Sequence, residues 1–269
     1  MRKNKTAEAC SKGDLESLQA LLSNESPKCQ RSPDVINFLL GRAAQNNHAH
    51  IVHYLLNLDL DVPISPNVVY AAASTSSIEV YNLLLQHQPD ILTYGWEYMG
   101  DSVMLAVLNN DLPFLSYLLE NGADPGRDPG NYDWRHHTGS LPLELAVLRS
   151  QKDVIRLLLH HGAMLHPMQA LHWAAGLGKL DVVELLVESG ANVDALLDAE
   201  MGDYYGERSF GTALHGAVRG GQVEVVRFLL GRGADVRVLD SEGRSAVGRG
   251  CEAGDEGIIG LVDQDGSGA

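Results

Sequence analysis

The chain repeats itself, and that self-similarity limits its fold more than any other feature. LPLELAVLRSQKDVIRLLLHHGA from Leu141, ALHWAAGLGKLDVVELLVESGANVDA from Ala170 and TALHGAVRGGQVEVVRFLLGRGAD from Thr212 align without internal gaps. A unit this short cannot bury an apolar face alone, so copies must stack on one another. Each copy predicts a short helix with paired small residues (Ala146/Val147, Ala174/Ala175, Ala217/Val218), a polar or Gly-rich break, and a longer helix with an apolar stripe. The small residues let neighbouring first helices approach closely. Gly162, Gly190 and Gly233 close the longer helices, where a C-terminus wants a residue that tolerates positive φ.

This pattern resembles the ankyrin repeat, whose T-P-L-H-x-A signature is carried by Thr212-Ala213-Leu214-His215 and less fully by Leu171-His172 and Leu141-Pro142-Leu143. Weaker copies are anchored at Thr6, Leu40, Val69 and Val103, so the resemblance covers nearly the whole chain. It implies an all-α solenoid over residues 1–262, with projecting inter-repeat loops and a disordered tail at 263–269. The repeats fall near 5–35, 36–64, 65–98, 99–138, 139–166, 167–209, 210–242 and 243–262, about seven or eight in all. The family uses the signature imidazole to hold turns, which implies a structural role for His172 and His215.

The anchor spacing stretches between helix pairs, reaching 40 residues from Val103 to Leu143 and 43 from Leu171 to Leu214. Insertions in repeat arrays map to loops on one face, often the binding face. Function is therefore expected in the loops near 124–140 and 195–211. At the ends, AEACSKGDLESLQALL has a polar outer face suited to a cap. The last copy carries Gly248, Gly250, Gly254, Gly257 and Gly260, which predicts a frayed cap.

With 45% apolar residues the chain has enough to bury a core without staples. Cys10, Cys29 and Cys251 are an odd number without metal-ligand spacing, which fits a reducing cytoplasm or nucleus. We read no signal peptide and no membrane anchor. A formal charge of −15 disfavours direct binding to nucleic acid or anionic lipid and accommodates a basic or neutral protein partner. No cofactor or metal is expected, and oligomeric state is open.

Eight of the sixteen aromatic residues lie in three loops: Tyr94, Trp96 and Tyr98; Tyr132 and Trp134; Tyr204, Tyr205 and Phe210. With Arg135 and Arg208 they have the composition of binding hot spots; alternatively, the rings fold back over the enlarged loops. At the first-helix ends, Gln45/Asn46, Ser74/Thr75, Leu108/Asn109, Leu148/Arg149, Gly176/Leu177 and Arg219/Gly220 resemble positions lining the family's groove. Leu108, Leu148 and Leu177 would make its apolar centre, unless they are ordinary exposed leucines. His48, His50 and His53 are read as decorating a polar surface, and His160 and His161 as complementing a helix C-terminus.

Two further readings stay open. Asp133, His136 and His137, with Asp203, Tyr204, Tyr205 and Glu207 across the second loop, could do acid-base work over a small molecule. Yet no nucleophile elbow, phosphate loop or HExxH motif occurs. An adaptor for ubiquitin ligation would need an F-box or SOCS-like segment, and none is visible. The leading expectation is a protein-interaction scaffold, more in keeping with binding than with catalysis.

Overall fold

The computed structural model describes residues 2–23, 32–58, 62–96, 100–126, 142–165, 169–196, 211–253 and 257–261. Packing divides the chain into two compact units, residues 1–139 and 140–269.

The first unit holds helices α1 (Arg2–Lys12), α2 (Leu15–Ser23), α3 (Pro33–Gln45), α4 (Ala49–Leu56), α5 (Pro66–Ser74), α6 (Ile78–His87), α7 (Ser102–Leu108) and α8 (Leu112–Glu120). The odd-numbered helices pack in one row, α1 on α3, α3 on α5 and α5 on α7, and each also packs on the even-numbered helix that follows it. Local chemistry sets the helix starts. Pro33 and Pro66 stand at first turns, where the missing N–H costs nothing, while Ser77, Asp101 and Asp111 accept from the amides of Val80, Met104 and Phe114. A short antiparallel ladder, β1 (Gly95–Trp96) with β2 (Gly100–Asp101), pairs Trp96 with Gly100 and leads into α7.

The second unit holds α9 (Pro142–Leu148), α10 (Lys152–His160), α11 (Gln169–Gly176), α12 (Leu180–Glu188), α13 (Ala213–Arg219), α14 (Val223–Gly231) and α15 (Ala246–Ala253). Its first helices again form a row, α9 on α11, α11 on α13 and α13 on α15. The paired small residues permit this. Ala146, Ala174, Ala175 and Ala217 are fully buried, and a Cβ on Gly220 would lie only 2.3 Å from the Gly176 carbonyl oxygen.

One turn recurs in seven repeats. Between the two helices sits a residue in the left-handed region: Gly13, Asn47, Ser76, Asn110, Ser150, Gly178 or Gly221, with φ from 52° to 76°. Glycine takes it freely and Asn tolerates it, whereas the serines at 76 and 150 hold it under strain.

Among the described residues of the final repeat, two helical segments make contact. α15 is followed by a helical turn over 257–261, and Gly250 is buried where a Cβ would come within 3.3 Å of Ile259 and 3.6 Å of Val218. There, absence of a side chain is what allows the contact, although glycine weakens a helix elsewhere. Among the described residues no helix is long and apolar enough to cross a membrane.

Candidate protein-interaction surface

In the first unit, α3 buries Ile36, Leu39, Leu40, Ala43 and Ala44 and leaves Asp34, Phe38 and Arg42 on another face. Helical spacing of four puts these three in line. Phe38 is 51% exposed, and the Arg42 guanidinium lies 5.7 Å from its ring centroid. Facing them, α5 contributes Val68, Tyr70, Ala71 and Ser74, and the space between the helices is an open groove of about 610 Å³ with Gly41 in its lining.

The groove walls are braced by side chains that hold extended backbone. Asn37 Nδ2 donates to the Pro63 carbonyl at 3.0 Å while its Oδ1 accepts from the Ser65 amide at 2.7 Å. Gln88 Oε1 accepts from the Ile64 amide at 2.7 Å, and its Nε2 donates to the Tyr94 hydroxyl. Tyr94 is therefore engaged in bracing. Trp96 is half-buried: its ring meets Tyr70 edge-on at 5.3 Å, and Nε1 donates to the Pro66 carbonyl at 2.9 Å. For Tyr94 and Trp96 the rings fold back onto their own repeat. Leu108 is half-buried at the end of α7 and Asn109 is exposed.

The histidines expected to decorate the surface do more than that. His48 and His50 lie at 3.0 Å from the carbonyls of Ser11 and Gly13, donating from Nε2 and tying the second repeat to the first. His50 and His53 are both exposed, and His53 lies beside its own helix against Asn57. The sequence shows a polar cluster there, but not the two carbonyls of the preceding repeat that it meets.

In the second unit, Leu148 is 37% and Leu177 50% exposed, with Arg149, Arg219 and Gly220 exposed near them on the same helix ends. The loops between them are tied by side chains from the following repeat. Lys179 Nζ donates to the carbonyls of Val147 and Leu148, and Gln222 Nε2 donates to those of Gly220, at 2.7 Å, and Gly176, at 3.4 Å. Burial then lowers the Lys179 pKa, with Asp181 acting in the other direction.

His215 does what the resemblance implies. Its Nδ1 accepts from the Thr212 amide at 3.1 Å and lies 3.0 Å from the Thr212 hydroxyl, and Nε2 reaches the Arg244 carbonyl at 3.1 Å. His172 is equally buried, but neither ring nitrogen has a hydrogen-bond partner among the described residues. Burial, then the charges of Arg219 and His215, lowers its pKa to about 4. Beyond this pair, Asp240 gathers the last repeat. It accepts from the amides of Glu242 and Arg244 and from Arg249 Nε at 2.6 Å, with side-chain exposures of 2% for Asp240 and 12% for Arg249. Burial raises the Asp240 pKa, but the Arg244 amide and Arg249 outweigh it and hold the carboxyl below its usual range.

Tyr98, Tyr132, Asp133, Trp134, Arg135, His136, His137, Tyr204, Tyr205 and Arg208 lie outside the described residues. Among the described residues the structure brings Phe38, Arg42 and Tyr70 together along one groove of the first unit. Phe38, Arg42 and Tyr70 are the residues that reading the sequence missed. The signal was present in the Asp34, Phe38, Arg42 spacing, but only the last positions of each first helix had been read as groove.

Rows of paired helices with one face left open define a helical-repeat scaffold built to present surface. The chain belongs to the ankyrin repeat family: models described as ankyrin repeats match residues 7–95 and 103–196, and 171–230. Human transient receptor potential cation channel subfamily A member 1 is 24% identical over 252 residues, 79% of this chain and 21% of that one. Human B-cell lymphoma 3 protein is 34% identical over 155 residues, 55% of this chain and 32% of that one. A crystal structure of an ankyrin repeat domain from Acinetobacter baumannii AYE shares the fold at a TM-score of 0.59 and 24% identity, covering 74% of this chain and 97% of that one. The chain spans a third or less of the length of these two curated relatives.

Proposed function

We propose that this chain is a protein-interaction module that holds a partner against the first-helix faces of its repeats, without chemistry. The observation that carries this reading is the exposure of Phe38, Leu148 and Leu177 on or at the ends of the first helices, with Ile78, Met164, Leu196 and Leu239 exposed elsewhere. Apolar groups among exposed Arg and Asn are the composition of a binding patch. The net charge of −15 favours encounter with a basic or neutral partner more than it adds affinity. The aromatic loop residues Tyr98, Tyr132, Trp134, Arg135, Tyr204, Tyr205 and Arg208 would extend this surface, and a reducing cytoplasmic or nuclear setting suits the free thiols of Cys10 and Cys251.

Photocrosslinking tests the face. With a photoreactive side chain placed in turn at 38, 177, 184 and 227, the groove positions 38 and 177 are expected to capture a shared protein that the second-helix positions do not. Capture from 184 and 227 alone would put the interface on the opposite face and overturn the reading.

A further inference from the structure

The α3 stripe carries a polarity. Asp34, Phe38 and Arg42 run along one helix face, so the backbone positions of the acid and the base stand about 12 Å apart along the axis with Phe38 midway. Neither Asp34 nor Arg42 takes part in an ion pair among the described residues, although Arg42 rests over its own Phe38. The groove beside them thus has an acidic end, an apolar middle walled by Phe38 and Tyr70, and a basic end.

Its lining contains a second clue. Gly41 sits inside α3, where glycine weakens a helix relative to alanine, and a Cβ there would touch only Val68 Cγ2 at an ordinary 3.9 Å. Packing does not require the glycine. What it preserves is bare backbone beside Ala71 and Ser74, open to close approach by another chain.

Spacing favours an extended chain. Its alternate residues i, i+2 and i+4 face one way over about 13 Å, matching the length of the stripe from Asp34 through Phe38 to Arg42.

Resting on the interaction reading above, we propose that this groove receives an extended peptide with a basic, an apolar and an acidic residue at alternate positions. The basic residue lies at Asp34, the apolar one over Gly41 between Phe38 and Tyr70, and the acidic one at Arg42.

The test is selection of random decapeptides displayed on phage against the full chain. Wild type should enrich basic-x-apolar-x-acidic sequences, and Phe38→Ser should weaken the best peptide at least tenfold. The double variant Asp34→Lys with Arg42→Glu should select the reversed order, acidic to basic. Gly41→Leu should abolish selection without lowering the melting temperature. If the charge-reversed chain enriches the same sequences as wild type, the peptides sit elsewhere; this proposal then fails while the interaction reading stands. No enrichment by wild type also overturns the proposal, and the photocrosslinking above decides the wider reading separately.

Discussion

The two units solve the same stacking problem with different chemistry. The second carries the signature residues and packs its first helices through glycine and alanine, so that Gly220 almost touches the Gly176 carbonyl and His215 bridges to Arg244. The first lacks those residues and ties its Pro-containing connections with long polar side chains, Asn37 and Gln88. Its glycine at 41 has room for a side chain, whereas Gly220 has none. One glycine closes an interface between repeats; the other leaves a groove open. The same residue type thus marks packing in one unit and available surface in the other.

The sharpest way to break this contrast is at Asp240. Removing its carboxylate leaves Arg249 buried without its strongest partner, and Asp240→Ala should cost about 3 kcal/mol in urea unfolding. Because the folded carboxyl titrates below its usual range, that stability is present above pH 4 and is lost on further acidification.

Next comes His172, whose pKa is lowered to about 4 by burial. The fold holds the ring neutral, so its contribution is complete above about pH 6.5, the unfolded value, and falls as pH drops from there to 4. Between pH 7.5 and 5 the urea midpoint should move by the equivalent of about 2 kcal/mol, and His172→Leu should remove most of that change. His215, whose pKa is also lowered, adds in the same direction.

Gly220→Ala should cost about 2 kcal/mol by forcing α11 and α13 apart. In the first unit, Asn37→Ala should cost about 1.5 kcal/mol by removing two hydrogen bonds to the 63–65 connection, read by the same titration. The smallest effect has the opposite sign: Gly41→Ala should stabilise by about 0.7 kcal/mol. If Gly41→Ala destabilised as much as Gly220→Ala, the contrast between the two glycines would be wrong.

Much of the fold was legible because it is local. Turn glycines, apolar stripes and small-residue pairs recur at fixed offsets, and those patterns located the helices of Leu141–Gly162 and Thr212–Gly233 before any coordinates. The candidate site was legible in part. Leu148 and Leu177 were marked by their place at helix ends, but Phe38 was not, since an apolar residue on a helix reads as core until its neighbours are known. For Tyr94 and Trp96 the sequence left two arrangements open, and only the partners Gln88, Tyr70 and Pro66 show how the rings rest against their own repeat.

The sequence by itself determined the repeat, its two helices and the positive-φ glycines that close the second of them, because each depends on φ preferences and on periodicity within some twenty residues. The tertiary structure alone decided which surfaces stay open. Whether Phe38 is core or groove, and whether Gly250 frays a helix or seats it, depends on side chains brought from distant positions. Their distance and direction are fixed only once the repeats have stacked.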